Sequence, residues 1–234
     1  PYWNTTAESD GYDPGETKGS GARTDSTSNP VLLLPLDASN FDNNDKIDDL
    51  STNARDVEAS HSDCTSKTDQ SYFYGSSAYF DGTGDSIPSY ADHSDWRIKA
   101  NGWTCEMWIR PDGSGSRPDD LISHLGSTEG WYMYIQGNDQ LGVGWNHGSG
   151  YVEITSNTGT VKDDVWTHVA AVVDSNVMKI YVNGIQQTST SAFNSDSQAP
   201  STSLRLGTKA NSYPNPYKGW MSDLRIYHST KYTA

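Results

Sequence analysis

Short segments in which apolar and polar residues alternate recur along the chain between residues 77 and 227. The segment 103–110 shows the pattern clearly, because Cys105, Met107 and Ile109 occupy every second position. A period of two is that of a β-strand, so these three side chains share one face and pack into a core. The other face is left for solvent or a ligand and carries Thr104, Glu106, Trp108 and Arg110.

The same alternation, interrupted by turn-forming residues, predicts an all-β protein. Strands are expected at 77–82, 85–90, 103–110, 120–125, 131–136, 140–146, 151–156, 166–174, 177–183, 185–190, 203–207 and 219–227. Turn formers such as Asp81-Gly82 and Asn183-Gly184 separate them, and the second pair suits a two-residue hairpin. Only one short helical turn is expected, at 92–97. The pattern therefore predicts a sandwich of two antiparallel sheets.

Two polar stretches precede these strands. Residues 1–29 are rich in Ser, Thr, Gly and Asp and have no periodicity, which predicts a flexible linker. The alternative is an arm that orders against a partner subunit through Tyr2, Trp3 and Tyr12. A strand broken by proline is expected at 31–37, and 39–70 should form loops. The expected organisation is a linker over 1–29 and one domain over 30–234.

Composition excludes several classes of protein. The 234 residues include 30 acidic and 16 basic side chains, so the formal net charge is −14. Such a surface repels phosphate backbones, which argues against nucleic-acid binding. No apolar run approaches the roughly 18 residues of a membrane-spanning helix, so membrane insertion is not expected. Aromatic residues make up 11% of the chain, which is too many for a disordered polypeptide and indicates a folded core.

Cys64 and Cys105 are the two cysteines of the chain. One pair in a chain of this length is not a disulfide framework, and no metal-binding C-x-x-C spacing is present. Two buried free thiols are favoured over a single bridge across a long loop.

Five blocks of sequence, taken in order, resemble a laminin-G-like jelly-roll domain of the concanavalin A-like lectin/glucanase superfamily. They are 78–82 (AYFDG), 103–111 (WTCEMWIRP), 166–172 (WTHVAAV), 178–184 (MKIYVNG) and 219–227 (GWMSDLRIY). The resemblance implies two antiparallel sheets packed face to face. It leaves function open, because the superfamily contains glycan-binding modules, hydrolases, lyases and structural adhesion domains.

The final residues 227–234 and the segment 94–96 further resemble such domains in tail, fibre and surface proteins of marine bacteriophages. This resemblance implies a location on a virion surface. A domain of a bacterial extracellular adhesin is the alternative.

Catalysis is not expected from the residue pattern. A retaining glycosidase needs two carboxylates about 5–5.5 Å apart, and the E-x-D-x-x-E strand of glycosidases with this fold is absent. Glu106 is the one carboxylate of its predicted strand, and Glu153 is followed by Ile154-Thr155-Ser156. The chain is therefore expected not to be an enzyme, with polysaccharide degradation as the disfavoured alternative.

Calcium is the expected ion, because the resemblance implies a structural calcium site where the first and last strands meet. Carried over by position, its ligands would be Asp37 and Asp223, with Asp81 less well matched. Carboxylate oxygens are the ligands that Ca²⁺ prefers. The alternative is that Asp37 and Asp81 only stabilise turns.

Glycan binding would need exposed aromatic faces beside polar groups. Rings next to Gly or Pro in expected loops are the candidates: Trp145, His147, Tyr151, Tyr213 and Tyr217. The segment 130–132 offers further rings, whereas Trp103, Trp108, Trp166 and Trp220 are expected to pack in the core.

The sequence thus predicts a non-catalytic recognition domain of a phage surface, tail or fibre protein. Its expected partners are host-surface polysaccharide or neighbouring virion subunits, in a homo-oligomer of many copies that turns weak binding into avidity. A purely structural decoration or assembly domain without a ligand is the alternative.

Overall fold

The computed structural model describes residues 30–39, 41, 47–55, 63–84, 88–114, 117–147, 150–193, 200–209 and 215–232. The expected linker over 1–29 lies outside these residues, so that prediction stands as it was made.

Fourteen strands are formed by these residues. The first seven are β1 (Leu32–Leu34), β2 (Cys64–Lys67), β3 (Ser77–Asp81), β4 (Ser89–Tyr90), β5 (Trp103–Pro111), β6 (Asp119–Leu125) and β7 (Glu129–Gln136). The second seven are β8 (Gln140–His147), β9 (Tyr151–Thr155), β10 (Thr167–Asp174), β11 (Val177–Val182), β12 (Ile185–Ala192), β13 (Leu204–Leu206) and β14 (Lys218–Tyr227). A short 3-10 helix, Ser94–Trp96, lies where the helical turn was predicted.

The strands form two antiparallel sheets. The eight-stranded sheet has the order β12-β11-β10-β5-β14-β3-β2, and β1 pairs with β14 outside that path. The six-stranded sheet has the order β4-β13-β6-β7-β8-β9. The predicted two-sheet antiparallel sandwich is confirmed. Among the described residues, no helix is long and apolar enough to cross a membrane.

The β11–β12 hairpin turns where the sequence predicts. Asn183 and Gly184 have φ angles of 49° and 74°, the left-handed values that a tight hairpin with right-handed strand twist requires. The prediction that 39–70 forms only loops is wrong at Cys64–Lys67, which pairs with β3. This segment is polar because the sheet ends there, and an edge strand needs few apolar side chains.

One continuous core fills the space between the sheets. Its centre is aromatic: Trp103 and Trp131 come from opposite sheets and meet edge to face at 4.9 Å between ring centroids. The Trp131 indole donates a hydrogen bond of 2.6 Å to the Trp96 carbonyl. Cys64 and Cys105 are buried and form no disulfide with each other, as favoured from the sequence.

The second face of β5 differs from the prediction, because it is largely covered and not left to solvent. Glu106 and Trp108 are only 8% and 9% exposed. Side chains from outside the strands lie over them: the Tyr232 hydroxyl donates to Glu106, and the Tyr72 ring stacks on Trp108. An alternating pattern could not reveal this cover, since the covering residues are distant in sequence.

Candidate functional site

Two of the residues predicted to bind glycan are in the core, so those two predictions are wrong. Trp145 is 2% exposed and packs against Phe193, with 5.9 Å between ring centroids. Tyr217 is 0% exposed, and its hydroxyl donates to the Trp220 carbonyl at 3.1 Å. The nearby Gly and Pro residues suggested exposed rings, but Trp145 lies on β8 opposite the core residue Trp131 and is itself part of the core.

Tyr151 is exposed, as a ligand-contacting ring must be. It is the first residue of β9 and 54% of its surface is accessible. Tyr213 and the side chain of His147 lie outside the described part of the chain, so both remain predictions.

Tyr151 belongs to a group of three rings on the outward face of the six-stranded sheet. Tyr132 and Tyr134 alternate along β7 with the core residues Trp131 and Met133, which places the two tyrosines on the opposite face. The Tyr132 and Tyr134 ring centroids are 5.3 Å apart, and Tyr132 and Tyr151 are nearly parallel, at 18° and 6.5 Å. These three residues are here called the tyrosine platform, in which Tyr151 and Tyr132 reach the surface and Tyr134, 7% exposed, packs beside Tyr132.

Glycines on β8 allow the rings to lie close against the sheet. Gly142 pairs with Tyr134 and Gly144 with Tyr132. A Cβ at Gly142 would come within 2.1 Å of a Tyr134 ring carbon, and one at Gly144 within 2.7 Å of Tyr132. The platform is therefore flat because no side chain separates the rings from the β8 backbone.

Charged groups border the platform. The Tyr151 hydroxyl donates to Glu153 and lies 2.5 Å from the Tyr132 hydroxyl. The Lys209 ammonium lies 4.9 Å from the Tyr132 ring centroid and 3.5 Å from the buried Asp120 carboxylate. Ring faces can contact C–H groups, while Glu153 can accept and Lys209 can donate hydrogen bonds.

Burial raises the pKa of the Tyr134 and Tyr151 hydroxyls well above the ordinary value, and the neighbouring Glu153 carboxylate adds to the increase. Both hydroxyls therefore stay protonated, and that of Tyr151 donates its hydrogen to Glu153. Sequence reasoning missed Tyr134 and Lys209 at this site. The detectable signal for Tyr134 was the repeat Tyr-x-Tyr on one strand opposite Gly-x-Gly on the next.

The three predicted calcium ligands do not form one cluster. Asp81 pairs across the sheet with Lys218, five residues from Asp223 along β14, so the backbones at the two aspartates are separated by roughly 15 Å. Asp81 accepts hydrogen bonds from Thr83. Among the described residues, no three His, Cys, Asp or Glu side chains lie close enough to hold one metal ion.

Asp37 and Asp223 are closer together, because the Asp223 amide donates to the Pro35 carbonyl at 3.0 Å. Each carboxylate already has a partner. Asp37 accepts from the Ser39 amide and hydroxyl, and Asp223 pairs with Arg225 at 3.2 Å. As placed, these oxygens stabilise a turn and an ion pair.

A buried pair on the eight-stranded sheet, Glu106 and His168, resembles an acid–base couple. The atoms Glu106 Oε2 and His168 Nε2 are 3.2 Å apart. Burial would raise the pKa of Glu106, but the hydrogen bond and charge of His168 and the charge of Arg225 hold it below the ordinary value. Since Tyr232 covers Glu106, the pair is part of the packing of the C-terminal segment.

Solved structures with the same fold are binding domains of larger proteins. The binding domain of Paraclostridial Mosquitocidal Protein 1 matches with a TM-score of 0.66 and 16% identity, over 86% of this chain and 49% of that one. The binding domain of botulinum neurotoxin serotype G matches with a TM-score of 0.65 and 15% identity, over 86% and 48%. The chain thus spans about half the length of these toxin domains.

A third similar structure matches this chain over nearly its whole length. It is domain 4 of the extracellular arabinanase AbnA from Geobacillus stearothermophilus, in complex with arabinotriose. The TM-score is 0.61 and the identity 16%, over 87% of this chain and 94% of that one. At these identities the likeness concerns the fold alone.

Comparison with curated proteins gives no match. A family model does match, over residues 81–232, which is more than half of the chain. Together with two antiparallel sheets around one core, this match shows that the chain belongs to the concanavalin A-like lectin/glucanases superfamily.

Proposed function

We propose that this domain binds carbohydrate without catalysis and that the tyrosine platform is its site. The observation that carries the proposal is the parallel arrangement of Tyr132 and Tyr151, 18° apart, beside the exposed Glu153. A sugar ring offers C–H groups on its faces and hydroxyls at its rim. The platform matches both, because flat rings lie next to a carboxylate acceptor and an ammonium donor.

The structural neighbours support this ligand class. The AbnA domain is in complex with arabinotriose, and for another neighbour, botulinum neurotoxin type C, cell entry depends on interaction with two ganglioside molecules. The platform rings are already held by contacts with one another and by the hydrogen bonds among Tyr132, Tyr151 and Glu153, so little conformational entropy is lost on binding.

The biological setting proposed is a virion surface, where the domain would contact host polysaccharide. Its support is the sequence resemblance of 227–234 to the ends of phage surface proteins.

Calcium held by Asp37 and Asp223 is proposed on the same kind of resemblance. It predicts that the midpoint of thermal unfolding, measured in CaCl₂, falls when EDTA is added, whereas an unchanged midpoint would contradict calcium binding.

A glycan array that includes arabinotriose tests the carbohydrate proposal, followed by titration calorimetry with the best ligand. Tyr151→Ala should lower affinity roughly 5- to 30-fold, since it removes a ring face and a hydroxyl worth roughly 1–2 kcal/mol. Thermal stability should change little, because Tyr151 is largely exposed.

Ile185→Ala is the matched control. Ile185 is 62% exposed on the other sheet, so its loss should change neither affinity nor stability. Equal affinities for Tyr151→Ala and the wild type would contradict a site at the platform, and an array without any binding would contradict the function itself.

A further inference from the structure

The outward face of the eight-stranded sheet carries a second group of rings, unrelated to the tyrosine platform. Tyr72, which precedes β3, lies over Trp108 of β5 with 4.0 Å between ring centroids and 19° between planes. Phe73 meets Tyr72 edge-on at 4.6 Å, and Trp166 lies 6.1 Å away at a tilt. Three rings therefore fix the position of Tyr72.

Tyr72 nevertheless remains 45% exposed. Because Trp108 covers one face and Phe73 one edge, much of the exposed area belongs to the second face of the ring. Trp166 beside it is partly exposed, and Val165 is 50% exposed. The surface thus presents a fixed aromatic face to solvent, a geometry that does not arise from core packing alone.

More aromatic surface continues along the same face. Arg110 follows Trp108 by two residues on β5, and its β14 partner is Trp220, which in turn pairs with Tyr79 of β3. Neighbouring strands are about 4.8 Å apart and alternate residues about 6.8 Å, so the group spans several strands. The aromatic row is defined here as Tyr72, Trp108, Trp166, Trp220 and Tyr79.

Polar groups accompany the row. The Arg110 guanidinium lies 5.1 Å from the Trp220 ring centroid and donates to Asp164 at 2.8 Å. The Trp220 indole donates to Asp69 at 3.2 Å, and the Lys67 ammonium lies 5.8 Å from the Tyr79 ring. Tyr72 is the most exposed ring of the row, Trp166, Trp220 and Tyr79 are half-buried, and Trp108 supports Tyr72 from below. Aromatic surface with donors and acceptors between the rings suits a chain of hydroxylated sugar rings.

We propose that the aromatic row is a second carbohydrate-binding surface, which takes an uncharged polysaccharide chain lying across β5, β14 and β3. Polyanionic chains are disfavoured by Asp69 and Asp164 in the row's surroundings and by the net charge of −14. The ligand class rests on the proposed function. The row and the platform lie on opposite outer faces of the sandwich, so one copy of the domain can link two polysaccharide chains.

Cross-linking is the property to measure. Linear arabinan, mannan and laminarin serve as probes, and turbidity together with affinity is recorded for the full chain. We expect the wild type to precipitate the polysaccharide that it binds. Tyr72→Ala and Tyr151→Ala should each still bind but no longer precipitate, with apparent affinity about 10²-fold weaker because avidity is lost. The double variant should not bind.

Tyr72→Phe is the matched variant, since it keeps the ring stacked on Trp108 and should still precipitate. Thermal unfolding of each variant checks that Tyr72→Ala is folded. If Tyr151→Ala alone abolishes binding of a polysaccharide that the wild type binds, the second surface is disproved and the proposed function stands. Absence of wild-type binding to all three probes overturns the second surface, whereas the glycan array decides the proposed function.

Indole NMR signals locate the second site directly. The row contains three tryptophans, whereas the platform contains none, so adding arabinan, mannan or laminarin to Tyr151→Ala should shift the Nε1–H signal of Trp166. Trp166→Phe assigns that signal. An unshifted signal would contradict the proposal. So would a dimer in sedimentation that Tyr72→Ala dissociates, since a second copy would then occupy the row.

Discussion

At the scale of single residues, the missing Cβ atoms of Gly142 and Gly144 decide the shape of the tyrosine platform. Both glycines lie within a regular strand, and neither adopts the left-handed backbone region, so their role is steric and not conformational. A side chain at either position would lift a tyrosine from the sheet. Space, rather than turn geometry, is what these positions require.

Gly144→Ala should therefore abolish the platform. The new Cβ would lie 2.7 Å from a Tyr132 ring carbon and 2.9 Å from the Tyr151 hydroxyl, so at least one ring must move. We expect carbohydrate affinity to fall at least about tenfold, with a stability loss of about 1–3 kcal/mol from overpacking. Titration calorimetry and chemical denaturation measure the two effects. Gly137→Ala is the control, since nothing lies within 4 Å of its Cβ; an equal effect there would refute the steric explanation.

Asp119 is a second residue whose surroundings make a specific prediction. Burial raises its pKa from 3.8 to about 6, despite the opposing charge of Arg117 at 3.2 Å. Since the folded state binds the proton more tightly than the unfolded state, stability should decrease as pH rises from about 4 to 6. Above that range the destabilisation is complete.

Asp119→Asn removes this ionisation, so it should raise the free energy of unfolding at pH 7 by about 1–2 kcal/mol. The gain over the wild type should disappear near pH 4. Denaturation at a series of pH values measures it. Asp163→Asn, which changes a more exposed partner of the same Arg117, should give a smaller effect. A gain that is constant with pH would show that ionisation of Asp119 is not its cause.

At the scale of elements, the turn of the β11–β12 hairpin is hydrogen-bonded to the neighbouring strand β10. The Asn183 side chain accepts from the His168 amide at 2.9 Å, and the Asn183 amide donates to the His168 carbonyl at 2.9 Å. The turn therefore ends one strand pair and continues the hydrogen bonding of β10.

Asn183→Ala should destabilise the domain by about 1–3 kcal/mol. It loses the hydrogen bond to His168 and puts alanine in the left-handed region, which asparagine tolerates better. Asn183→Gly separates the two causes, because it restores the backbone freedom but not the hydrogen bond, and should recover part of the loss. Chemical denaturation is the measurement. A Gly variant as unstable as the Ala variant would assign the whole effect to the hydrogen bond.

At the scale of the whole molecule, the two faces of each sheet differ in character, but the outer face is not purely polar. Their inner faces form one apolar core, as alternation predicts. Their outer faces carry aromatic and charged residues together, and that of the eight-stranded sheet is partly covered by segments far away in sequence. The buried Glu106–His168 pair under Tyr232 belongs to that outer layer. Carbohydrate binding is thus proposed on two outer faces whose aromatic side chains are held in place by packing against their neighbours.

Features that depend on residues close together in sequence could be predicted, whereas features that depend on contacts between distant segments could not. Strand positions such as 103–110 and the Asn183-Gly184 turn were predictable, because alternation and turn preference are local. Trp145 and Tyr217 were misplaced, because glycine and proline nearby do not reveal whether a ring faces the core. The exposure of Tyr151 was predicted from its type and its glycine-rich surroundings, but its contacts with Tyr132, Tyr134 and Lys209 depend on the order of strands in the sheet.

The sequence by itself determined the all-β class, most strand positions, the family blocks and the absence of a helical pattern, since each rests on spacing within a few residues. Only the tertiary structure decided which aromatic rings are buried and which face solvent. That outcome depends on strand register and on covering segments such as Tyr72 and Tyr232, which come from far along the chain. Pairing distant strands brings Tyr132, Tyr151 and Lys209 together, and no local pattern encodes that proximity.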